Sequence, residues 1–165
     1  MFSWSTILPA RRNDYDGSPL AFYFVCILAL IFTFRGCVHY FAADGGSGII
    51  AGIPLETYPA GAVQTIINHA GVFGIGHLIE ASLTWFVVFR YRSLIPFLLS
   101  IVLVTQVLGT FLFFWKPLPV IPPGQVGIYI TLPLTFVIFL LSIKKSASQT
   151  ASDSTLTKRT TKEIA

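Results

Sequence analysis

The chain has 165 residues, 54% of them hydrophobic and only 11% charged, with a mean hydropathy of +0.75. A soluble domain covers its surface with roughly 25% charged residues, so this composition excludes an ordinary water-soluble fold. The net charge of +4 matches membrane topology and anionic headgroups better than nucleic acid, which is not expected as a partner.

Residues 1–18 read as a polar cytoplasmic lead-in, with Phe2, Trp4 and Tyr15 suited to the membrane interface. Four apolar runs follow, at about 19–43, 67–89, 94–115 and 125–143, each close to the ~20 residues that carry a helix across a bilayer. Barrel-type alternation is absent, so the expected fold is an all-α membrane protein, a four-helix transmembrane bundle. The first run is longer than a signal-peptide core and follows a polar segment, so it reads as a retained helix.

In the connection after span one, DGGSG is turn material and GIIAGIPL is apolar enough to lie along the interface. ETYPAGAV then reads as a helix start, with Thr57 as cap and Pro59 in the first turn. The second helix is therefore expected to begin near Pro59 and to protrude above the lipid. RYRS is a tight hairpin, and KPLPVIPPG is a stiff, extended link. From residue 144 to 165 a Ser-, Thr- and Lys-rich segment reads as a disordered cytoplasmic tail.

Arg11, Arg12, Arg90, Arg92, Lys144, Lys145, Lys158, Arg159 and Lys162 flank one side of the spans, and the other connections hold only Lys116. By the positive-inside rule both termini are cytoplasmic, and a bacterial inner membrane is the expected location. Cys26 and Cys37 lie about 16 Å apart along one helix, too far to form a disulfide with each other.

Ionisable groups at membrane depth face a bundle interior or a wet cavity. On a helical wheel His69, Glu80 and His77 share a sector of about 80°, and Thr131, Thr135 and Ser142 form a stripe of about 40°. Counted up from the cytoplasmic ends, Arg35 lies at about 24 Å, His77 at about 20 Å, Gln106 and Thr131 at about 18 Å, and Glu80 at about 15 Å. Arg35, His77, Glu80, Gln106 and Thr131 therefore form one candidate polar layer to which all four spans contribute. His39 and His69 form a second pair at about 30 Å, where Asp44 could join them as a metal ligand, or the two imidazoles could ligate a haem axially.

Each layer has a plain alternative. Arg35 and Glu80 could be a structural ion pair, or Arg35 could reach the headgroups; the two histidines could simply bond loop carbonyls. Gly71, Gly74 and Gly76, with the Ala70/Gly74 spacing, point to close helix packing. No Ser–His–Asp set, C-x-x-C, H-E-x-x-H or carboxylate dyad is present, so the expectation leans away from an enzyme and toward no cofactor. The expected role is to bind or pass a small solute or proton, or to serve a larger membrane complex or homo-oligomer. A redox or metal-dependent enzyme at the histidines and a purely structural subunit are the alternatives. With four spans, both ends inside and a polar group late in the first helix, the layout resembles that of small bacterial DoxX-like membrane proteins.

Overall fold

The computed structural model describes residues 13–144. Most of the lead-in, with Phe2, Trp4, Arg11 and Arg12, and the tail from residue 145 on lie outside the described residues. Within them the chain is all-helical, with no strand and four helices long and apolar enough to cross a membrane: α1 (Pro19–Phe41), α2 (Ala60–Arg90), α3 (Ile95–Trp115) and α4 (Pro123–Ile143).

Local chemistry sets most of the boundaries. Ser18 caps α1, its Oγ accepting from the Leu20 N–H, and Pro19 fills the first helical position where no amide is needed. α2 does start where the proline sits, but Pro59 is itself the cap residue. Thr57 does not cap it; its Oγ1 donates to the Pro54 carbonyl at 2.8 Å, inside a short 3₁₀ turn. At 31 residues, α2 runs about 46 Å, longer than the about 30 Å of a hydrocarbon core.

α1 packs along α2 and α3 along α4, and the two pairs meet chiefly through α1 and α4. The hairpin between α2 and α3 marks one end of the bundle, here the turn end. There Arg92 lies over the Phe22 ring at 4.6 Å and donates from Nε to the Val88 carbonyl at 3.0 Å. Every buried hydrophobic side chain among the described residues lies in the half of its helix nearest this end or in the hairpin itself; Val25, Leu28, Val88, Leu99 and Ile138 are examples. Large apolar side chains elsewhere, such as Phe34, Phe41, Phe111 and Trp115, face outward, as lipid solvation requires.

In the opposite, open half the buried helical residues are Gly36, Gly74 and Gln106. A Cβ on Gly74 would stand 2.8 Å from the Tyr40 backbone nitrogen and 2.9 Å from His39 Cβ, so here the α1 backbone touches α2 directly. Gly76 has open space on its side, so the close-packing expectation holds for Gly74 and not for Gly76. Accordingly, Gly74→Ala is expected to cost about 1–3 kcal/mol through overpacking against backbone, while Gly76→Ala leaves the thermal midpoint in detergent unchanged or raised. Equal behaviour of the two variants would rule out this contact.

Candidate functional site

The α1–α2 register decides which polar groups meet. Gly36 lies against Leu78, Gly74 against Tyr40, and Gly45 against Ala70. This alignment puts Arg35 level with the His77–Glu80 segment and brings His39 to His77.

His77 is the centre of the site. Its side chain is 11% exposed, and its Nδ1 lies 3.2 Å from Glu80 Oε2, one helical turn on. An ionised carboxylate only accepts, so Nδ1 carries the proton. The ring is walled by Phe32 at 6.0 Å and His39 at 6.1 Å, both stacked, and by Phe73 at 4.5 Å edge-on. Its Nε2 is buried and has no hydrogen-bond partner.

Arg35 is half-buried on α1. A Cβ on Gly124 would stand 3.1 Å from Arg35 Nη2, so the guanidinium crosses from α1 to the first turn of α4. That turn has Pro122 as its cap residue and no side-chain cap, and the Gly124 amide points out of the helix start without an intrahelical acceptor. The helix register places the Glu80 carboxylate at the level of Arg35. Among the described residues, however, the guanidinium makes no hydrogen bond and no ion pair within 4.0 Å. The expected descent of Arg35 onto Glu80 is not made; Glu80 pairs with His77 instead.

On the other helix pair, Gln106 Nε2 donates to Thr131 Oγ1 at 3.1 Å, and Thr131 Oγ1 donates to the Gly127 carbonyl at 2.8 Å. Gln106 Oε1 and the fully buried Thr135 Oγ1 have no partner. With His77 Nε2, these are the buried side-chain polar atoms without a partner among the described residues. Native interiors pair nearly all such atoms, and here they fall in and just below the expected layer.

His39, His69 and Asp44 do not come together as a ligand set, and among the described residues no group of three His, Cys, Asp or Glu side chains could hold a metal ion. His39 lies against Gly74, while Ala70, next to His69, lies against the Gly45 loop. His69 is exposed and bonds the Thr65 carbonyl of its own helix at 2.9 Å. His39 bonds the Gly45 carbonyl at 2.7 Å. Asp44 folds its carboxylate onto the amides of Gly46, Gly48 and Ile49 at 2.8, 3.0 and 2.8 Å, a turn that needs the positive φ of Gly45 and Gly46.

Three contributors were not singled out by sequence pattern. Phe32 covers the His77 ring. Trp85 Nε1 donates to Thr33 Oγ1 at 3.1 Å across α1 and α2; an indole N–H inside a span needs an acceptor, which was the available signal. Pro133 lies within α4 and leaves the carbonyl one turn back, on Tyr129, without its helical donor, close to Thr131. Two surface grooves of about 390 and 490 Å³ run along the outward face of α2, lined by residues such as Ser82, Leu83 and Phe86; they contain no member of the layer.

No protein-family model matches the chain, and no curated protein or solved structure matches it either.

The Asp44 turn gives a pH prediction. The amides of Ile49 and Gly46, then Gly48, hold this carboxyl below the usual carboxylate range. A depressed folded pKa contributes stability above the unfolded value of about 3.9 and loses it as pH falls through the folded value. Thermal melts should therefore show Asp44→Asn less stable than the parent near neutral pH, with the gap closing below about pH 4. A gap independent of pH would mean that the carboxylate does not organise the loop.

Proposed function

We propose that the chain is an integral membrane protein that binds the anionic group of a small solute in its open half. Arg35 anchors the charge, Glu80 and His77 manage a proton, and Gln106 and Thr131 form a hydrogen-bonding wall. The single observation that carries this reading is the Arg35 guanidinium, which lies within an apolar helix and, among the described residues, has no ion pair within 4.0 Å. A positive charge at membrane depth is costly, and such residues mark substrate and ion pathways. A bolt between helices would close onto its carboxylate; this one reaches the uncapped start of α4. There a helix amino terminus and a guanidinium favour the same kind of ligand, a carboxylate or phosphate-like anion.

The unpartnered Nε2 of His77 and Oε1 of Gln106 support a polar occupant, since a buried polar atom left unpaired costs roughly 1–3 kcal/mol. Phe32 and Phe73 around His77 favour a solute with an apolar body behind its charge.

A double-mutant cycle on Arg35→Met and Glu80→Gln, read by unfolding in detergent, separates this reading from a structural pair. Breaking a buried pair costs about 3–5 kcal/mol in each single variant, and the double variant recovers part of it. The proposal expects folded single variants that each lose less than such a pair would, with a coupling well below about 3 kcal/mol, since the two charges balance without a direct contact. Strongly damaged singles rescued by the double variant would overturn it.

A further inference from the structure

Resting on the anion site just proposed, we infer that anion binding at Arg35 is coupled to proton uptake at His77 through Glu80, the carboxylate they share, so that the protein takes up about one proton with each monovalent anion. The titratable or charged groups that face this part of the layer are few. α1 contributes Arg35 and His39, with the half-buried Cys37 thiol and the exposed Tyr40 on the same stretch, and α2 contributes His77 and Glu80. α3 has no ionisable side chain, and the one in α4, Tyr129, is exposed. Asp44 is held by its own loop amides, and His69 stands outside at the exposed start of α2.

Charge balance then dictates the coupling. With both histidines neutral, Arg35 and Glu80 sum to zero. An anion arriving alone leaves the cluster with one net negative charge in a low-dielectric surrounding, a costly state. A proton on His77 restores neutrality: the imidazolium pairs with Glu80 across the existing 3.2 Å contact, and Arg35 is left to the anion. His77 Nδ1 already holds a proton toward Glu80, so the incoming one goes to Nε2. That atom is buried and has no partner among the described residues. An N–H created there has no acceptor until a solute brings one, so proton and anion stabilise each other's binding. By linkage the effect is reciprocal.

The direct test is equilibrium binding of benzoate, a monovalent carboxylate with an apolar body, to the purified full chain at about pH 8 and about pH 6, the range in which histidine titrates. The parent should bind more tightly on acidification, by up to about tenfold per pH unit for one linked proton. His77→Asn keeps a donor toward Glu80 but cannot titrate, and should bind with the same affinity at both pH values. Glu80→Gln removes the shared carboxylate and should bind independently of pH, and more tightly than the parent at about pH 8. Either variant suffices, so misfolding of one leaves the test intact. Arg35→Met should not bind. Parent binding that is lost in Arg35→Met but is equal at both pH values would overturn the coupling and leave the anion site standing. An unchanged pH response in His77→Asn or Glu80→Gln would also overturn the coupling. No binding by the parent at either pH would overturn both the anion site and the coupling.

Discussion

A guanidinium inside an apolar helix is the constraint on which the rest of this structure depends. Hydrocarbon offers no counter-charge, so every ionisable group in the span region must be read against Arg35. One carboxylate, Glu80, lies at its level by helix register, and that carboxylate's direct partner is His77. A guanidinium, a carboxylate and an imidazole thus lie together, with the carboxylate bonded to the imidazole and not to the guanidinium. In the proposed reading their charge balance changes with one proton or one anion, which a locked ion pair would not allow.

The architecture separates holding the helices together from keeping this charge accessible. Apolar side chains are buried only toward the turn end, where Val25, Leu28, Val88, Leu99 and Ile138 pack and Arg92 caps the hairpin over Phe22. Toward the open end, backbone contact at Gly74 holds α1 to α2, and the Gln106–Thr131 bond ties α3 to α4. Between these two pairs Arg35 reaches from α1 to Gly124 on α4. Four-helix bundles commonly build their sites between facing helices. Gln106 Oε1 and Thr135 Oγ1 are buried without a partner among the described residues.

Helix number, type and approximate bounds were legible because span length and apolar runs are dictated by bilayer thickness. A wheel at 100° per residue and a depth count at 1.5 Å per residue singled out Arg35, His77, Glu80, Gln106 and Thr131, of which His77 bonds Glu80 and Gln106 bonds Thr131. The depth match of Gln106 with Thr131 corresponds to a direct hydrogen bond. Interhelix register was not legible. It depends on where α1 stops and α2 starts, and on the backbone approach at Gly74, none of which periodicity encodes. Hence His39 stacks on His77 rather than meeting His69. Thr57 reads as a cap by residue type, but Pro59 takes that position and the threonine turns to Pro54. Side-chain direction was equally hidden: Arg35 is long enough to reach either Glu80 or α4, and only three-dimensional packing selects α4.

Charge balance in the layer is the central claim, and proton stoichiometry tests it most directly. With the full chain in weakly buffered detergent solution near neutral pH, a pH-indicator dye can report protons taken up as benzoate saturates the protein. Uptake approaching one proton per benzoate bound, abolished in His77→Asn, is the predicted result. Saturable binding with no proton uptake would show that the layer accepts a net negative charge, and would contradict the account.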